Sequence, residues 1–122
     1  MTFDRGESSR LNPFNQATIL ELTDVAQRLQ RDLETQAVVL TGRPNAFSAG
    51  IDLTDNATWE TDLTDVEMRD RSYRGVRLCQ AWEDMPQITV AAMEGLAVGA
   101  GCALAIACDW RVMGSDAYLY VP

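Results

Sequence analysis

The strongest constraint in this chain is a pair of short stretches nearly without side chains: AFSAGIDL at residues 46–53 and GLAVGAGCALA at residues 95–105. Each follows an apolar run of strand character, AVVL at 37–40 and ITVAAM at 88–93. A backbone that turns through Ser, Ala and Gly leaves its amide groups open to approach. Where the second stretch passes into the helix-forming CALAIAC, the first N–H groups have no internal acceptor. An anion or a developing oxyanion is the natural occupant. Read singly, each stretch also has a plainer explanation: Gly99, Ala100 and Gly101 permit close helix packing, and Asp52 closes a tight turn.

The remaining pattern is that of an α/β chain. Asn12-Pro13 predicts a helix start, with Asn12 as cap and Pro13 in the first helical position. Ile19, Leu20, Leu22, Val25, Ala26 and Leu29 follow at three- and four-residue spacings as its buried stripe. The polar GESSR at 6–10 reads as a loop, and residues 2–4 as the end of a strand. A second helix is expected over 65–82, with Val66, Tyr73, Val76, Leu78 and Trp82 on its buried side, stopping near Pro86. LAV at 96–98, residues 109–113 and residues 117–121 are expected strands around a helix that begins near residue 100. The order is strand, helix, strand, helix, strand, strand, helix, strand, strand, with no linker to divide it.

Composition narrows the chemistry. The 122 residues hold no histidine, which removes Ser-His and Cys-His nucleophile systems from within the chain. Ser48 lacks the GxSxG frame, since residue 46 is Ala, and has no base to activate it. Cys79, Cys102 and Cys108 lack CxxC spacing, so no metal site is expected and they read as buried thiols in a reducing compartment. A formal charge of −8 argues against a nucleic-acid surface. The acidic residues between 52 and 70 read as a solvated loop and helix start. No uncharged apolar span suggests a membrane helix and the first ten residues do not resemble a secretory signal, so the expected location is cytoplasmic.

Taken together, DRGESSRLNPF, AVVLTGRPNAFSAGIDL and PQITVAAMEGLAVGAGCALAIACDWRVMGSDAYLYVP resemble, in order and spacing, the crotonase family, or enoyl-CoA hydratase/isomerase superfamily. The resemblance covers almost all of the chain. It implies a spiral of repeated strand-strand-helix turns in which Ala49 and Ala100 each give a main-chain N–H to the thioester oxygen of an acyl-CoA. Ser48, Gly50, Ile51, Asp52 and Gly99 are then the neighbouring substrate-binding positions. Coenzyme A is part of the substrate and no further cofactor is implied. Arg10 and Arg43 fall in loops that the resemblance places near the nucleotide end of CoA. A homotrimer or hexamer is the expected assembly.

Two departures qualify what the resemblance implies. Hydratases of this family carry a glutamate three residues after the second donor, where this chain has Ala103. A second carboxylate usually follows the proline matching Pro122, where the given sequence ends. Residues 1–122 are therefore expected to form an incomplete spiral core without its helical C-terminal region. A noncatalytic acyl-CoA-binding or assembly module of the same fold is the alternative. A peptidase of the related Clp fold is contradicted by the missing histidine. Asp52 and Glu94 read as turn residues, and Tyr118 and Tyr120 as packing or pocket wall.

Overall fold

The computed structural model describes residues 1–6 and 9–122. The elements are α1 Gln16–Leu29, β1 Ala37–Thr41, β2 Ala46–Ser48, α2 Asn56–Trp59, α3 Asp65–Glu83, β3 Ile88–Met93, β4 Leu96–Val98, α4 Ala100–Ala107, β5 Trp110–Met113 and β6 Tyr118–Tyr120. They build two three-stranded sheets, β1-β3-β5 and β2-β4-β6. Every strand pair in both sheets is parallel, with Val39 opposite Val90 and Val90 opposite Trp110 in one, and Leu96 between Ala46 and Tyr118 in the other. Each turn of the chain thus adds one strand to each sheet and then crosses back through a helix, as parallel pairing requires. The fold is the α/β arrangement of strand-strand-helix repeats anticipated from the sequence.

Between the sheets and helices lies a core built on Phe14, Ile19, Leu40, Phe47, Leu78, Trp82 and Leu104. Phe3 packs against the rings of Phe14 and Phe47 at centroid distances of 5.5 and 5.2 Å, the latter edge to face. Burial of a ring such as Phe47 contributes about 2–3 kcal/mol. Phe47 lies in β2 directly before the small-residue loop and Phe14 bridges to Ile51 within it, so the aromatic group is joined to the loop at two points. At the other end of β3, the Asp109 carboxylate accepts from the Thr89 backbone N–H at 2.8 Å, and the Asp109 N–H returns a bond to the Thr89 hydroxyl at 2.9 Å. That pair ties the end of α4 to the central strand.

Several local expectations are corrected. Helix α1 starts at Gln16, capped by Asn15, whose side chain accepts from the Thr18 N–H at 2.8 Å; residues 12–14 instead run across to the small-residue loop. Asn12 is fully buried at φ 51°. Its amide donates to the carbonyls of Phe3 and Phe47 at 3.0 Å each, and its oxygen accepts from the Arg5 N–H. It is a brace, not a cap. Leu20 faces outward, 49% exposed, because the buried stripe of α1 runs through Gln16, Ile19, Leu22 and Ala26.

Helix α3 buries Leu78, Ala81 and Trp82, whereas Val66, Tyr73 and Val76 are exposed. The core side of this helix is confined to its C-terminal half. Its start is a capping box that the sequence carries as Thr64-x-x-Glu67: the Thr64 hydroxyl accepts from the Glu67 N–H and the Glu67 carboxylate from the Thr64 N–H. Residues 46–48, expected as loop, form β2, and Tyr118 and Tyr120 are exposed rather than packed. The expected strand at residues 2–4 is reduced to a single bridge from Thr2 to Thr41, and the part of the expected 6–10 loop at Glu7 and Ser8 lies outside the described residues.

Candidate active site

The two small-residue stretches meet. A Cβ placed on Gly50 would lie 2.7 Å from the Val98 carbonyl oxygen and 3.4 Å from the Ala100 nitrogen, and one on Gly101 would lie 2.5 Å from the Ser48 carbonyl oxygen. Gly50 also has φ +89°, in the left-handed region that favours glycine. Any side chain at either point would force the loop after β2 away from the start of α4. The small residues therefore serve close packing and leave backbone exposed at the same junction.

Most amides of the loop already have acceptors. The Ala49 N–H donates to the Leu11 carbonyl at 2.9 Å and the Gly50 N–H to the Ser48 hydroxyl at 3.2 Å. Phe14 pairs in parallel with Ile51, giving its N–H to the Gly50 carbonyl at 2.6 Å and taking the Asp52 N–H on its own carbonyl at 2.8 Å. Successive amides of an extended chain point to opposite sides, so Phe14 engages the groups flanking Ile51 and leaves the Ile51 N–H on the other side. Among the described residues, that N–H has no acceptor.

Ala100 opens α4 behind Gly99, the cap residue, at φ +54°. The Gly99 N–H is taken by the Tyr120 carbonyl at 3.0 Å, and the Gly99 carbonyl receives the Ala103 N–H at 2.9 Å. As the first residue of the helix, Ala100 has no acceptor one turn back. Ile51 and Ala100 line one cavity of about 490 Å³, together with Phe14, Ile19, Cys79 and Ala103. Ala49 does not line it. The expected donor pair is thus corrected at its first member: Ala49 is already committed to Leu11, and the free amide stands two residues on, at Ile51. Ala100 opens α4 and lines the cavity.

The other expected site residues are placed as follows. Ser48 is fully buried beneath Gly101 with its hydroxyl used by Gly50, so it supports the loop. Asp52 is buried too, and its carboxylate accepts from the Thr54 hydroxyl at 2.6 Å, the Thr54 N–H at 2.9 Å and the Arg5 guanidinium at 2.5 Å. The Thr54 hydroxyl and then Arg5 hold its acidity at about 2, against an ordinary 3.8. It is an ionised brace for the turn and breaks the expectation that the whole acidic run is solvated. Arg10 and Arg43 line a separate hollow with Leu11, Pro44 and Asn45, where Arg43 also pairs with Asp4 at 3.5 Å. Glu94 lies exposed in the turn between β3 and β4.

Among the described residues no cluster of three His, Cys, Asp or Glu side chains is arranged to hold a metal, and no helix is long and apolar enough to cross a membrane. Cys102 and Cys108 are buried, and Cys79 is half-buried on the cavity wall. Burial pushes the Cys108 thiol up to about 11. The thiols are free rather than paired.

A family model described as enoyl-CoA hydratase/isomerase matches residues 1–122. The chain belongs to that family. It is 36% identical over 122 residues to a protein of Mycobacterium tuberculosis described as a probable enoyl-CoA hydratase, covering all of this chain and 46% of that protein. It is 32% identical over 123 residues to the fatty acid oxidation complex subunit alpha of Pseudomonas putida, covering all of this chain and 17% of the subunit. Among solved structures, an enoyl-CoA hydratase from Bacillus anthracis superposes with a TM-score of 0.81 at 27% identity, over 98% of this chain and 45% of that one. The chain therefore spans less than half the length of each of these three relatives. The crotonase fold anticipated from the two stretches is the fold that these enoyl-CoA hydratases share.

Proposed function

We propose that the whole protein binds an acyl-CoA thioester with its carbonyl oxygen between the N–H groups of Ile51 and Ala100. The observation that carries this reading is that Ile51 and Ala100, whose amides have no acceptor among the described residues, line one cavity beside a junction too tight for a side chain at Gly50 or Gly101. Removing a proton from the carbon beside a thioester drives negative charge onto the carbonyl oxygen. Donors fixed in advance around that oxygen stabilise the transition state without reorganising, and one such donor contributes about 3–4 kcal/mol where its removal has been measured. The same fixed donors serve any member chemistry that passes through an enolate.

Within that class the reaction favoured is a double-bond shift. Hydration of a 2-enoyl thioester in this family is associated with two carboxylates that hold and activate water, whereas a proton shuttle needs only one. Ala103 removes one of the pair. The same alanine supports the second reading, a noncatalytic acyl-CoA-binding or assembly module. The coenzyme A moiety enters with the substrate and no additional cofactor is proposed; a cytoplasmic homotrimer or hexamer is the proposed working form.

Two assays on the whole protein separate these readings. With a 3-enoyl-CoA, the expected result is conversion to the conjugated 2-enoyl-CoA; with a 2-enoyl-CoA, hydroxyacyl-CoA formation is expected to be the slower reaction. Efficient hydration without isomerisation would overturn the one-carboxylate argument. Tight binding of both substrates with neither reaction would favour the binding module.

A further inference from the structure

Helix α3 forms much of the cavity wall, mostly through a stripe beside the one that packs on the core, with Gly75, Leu78 and Asp84 also bordering it. Val76, Cys79, Gln80 and Glu83 recur at the three- and four-residue spacing of a single helical face, and all four line the cavity that Ile51 and Ala100 share. The core stripe of the same helix is Leu78, Ala81 and Trp82. This division explains why Val76 is exposed although it is apolar: it borders an open cavity, not the packed interior.

Glu83 is the acid of this stripe. It takes part in none of the ion pairs of the described residues. It lies one helical turn from Cys79, and after burial its charge is the second cause that pushes that thiol up. The last turn of α3 holds no basic residue, and Asp84 follows directly as the cap. Carboxylates at a helix C-terminus face the negative end of the helix dipole, where cations are the stabilising choice. A local arrangement that works against its own helix points to a role outside stability.

We propose that Glu83 is the proton-transfer carboxylate of this cavity, reaching from α3 into the space that Ala103 leaves without an acid on α4. The proposal rests on the thioester reading above. With a 3-enoyl thioester, the C2–H bond breaks and its proton passes to a Glu83 carboxylate oxygen. The electron pair of that bond delocalises onto the thioester oxygen, which faces the Ile51 and Ala100 N–H groups. Return of the proton to C4 forms the new C–H bond, moves the double bond to C2–C3 and restores the ionised carboxylate. Asp84, one residue on, also borders the cavity but is turned by about 100° around the helix from Glu83, and it is the comparison carboxylate in the test below.

The test uses the whole protein in deuterated water with a 3-enoyl-CoA, following the double-bond shift and deuterium entry at C2 and C4 by NMR. A saturated acyl-CoA is titrated in parallel by calorimetry. Glu83→Gln is expected to slow the shift and the exchange by about 10²–10⁴-fold, the range of general acid–base catalysis, while acyl-CoA affinity stays within about threefold. Glu83→Asp is expected to recover part of the rate. Unchanged exchange in Glu83→Gln, or an equal loss in Asp84→Asn, overturns the assignment. Wild-type protein that binds acyl-CoA but exchanges no proton also overturns it while leaving the thioester site standing. Wild-type protein that fails to bind acyl-CoA removes the thioester site and this proposal together.

Discussion

The two turns that border the cavity expose an amide by different means. At Ala100 the helix does it alone: the first N–H of any α-helix lacks an acceptor one turn back, so the donor exists wherever α4 begins. At Ile51 no local rule does it. The N–H is free because Leu11 takes the Ala49 amide and Phe14 takes the Asp52 amide, and both partners arrive from the segment before α1. One donor is a property of secondary structure and the other of a tertiary pairing. The first should tolerate changes in its surroundings, and the second should be lost whenever the 11–14 segment shifts.

The largest expected effect tests the donors themselves. Ala100→Pro and Ile51→Pro each delete one N–H, and each is expected to lower kcat/KM for a 3-enoyl-CoA by about 10²–10³-fold, with Ala100→Gly close to wild type. Ala49→Pro removes only the bond to Leu11. It is expected to cost about 1 kcal/mol in denaturant unfolding with catalysis largely retained. Steady-state kinetics beside urea titrations check this. A catalytic loss in Ala49→Pro together with a silent Ile51→Pro would return the donor to position 49.

A smaller effect separates the two glycines of the turns. Gly50→Ala places a methyl group 2.7 Å from the Val98 carbonyl oxygen at a positive φ, and about 2–3 kcal/mol of stability is expected to be lost. Gly99→Ala meets nothing within 4 Å and bears only the left-handed backbone, so about 1 kcal/mol is expected. Equal losses in thermal unfolding would show that crowding at the junction is not what holds the loop against α4.

An effect that depends on pH concerns the brace under the loop. Asp52→Asn leaves Arg5 without its charged partner, and a loss of about 2 kcal/mol is expected at neutral pH. The folded-state acidity of Asp52 is depressed, so its contribution is fully present above 3.8 and is lost as pH falls from there through about 2. The stability gap between wild type and Asp52→Asn should therefore narrow over that interval in urea titrations at stepped pH. A gap independent of pH would assign the effect of Asp52 to packing.

Much of this was legible because it is written in local chemistry. The apolar runs of β1 and β3 and the repeat of Ile19, Leu22 and Ala26 mark their elements by period alone. The Gly-Ala-Gly start of α4 marks Ala100 as an unpaired helix-end amide, which depends on nothing distant. By contrast, Asn12 reads as a cap by residue type, and only its burial between Phe3 and Phe47 makes it a brace. In α3 the apolar residues Val66, Tyr73 and Val76 share the spacing of a buried stripe, yet the core reaches only Leu78, Ala81 and Trp82. Composition cannot say where along a helix its neighbours end.

By itself, then, the sequence determined α1, β1, α3, β3, β4, α4 and the two strands after it, and the two small-residue stretches between them. Tertiary structure alone decided that Ile51 and not Ala49 holds the free amide, and that Glu83 shares a cavity wall with Cys79. The physical reason is that periodicity and helix-end chemistry act within a few residues. Hydrogen-bond partners such as Leu11 and Phe14 are chosen by packing between segments about 40 residues apart, and leave no periodic trace in the chain.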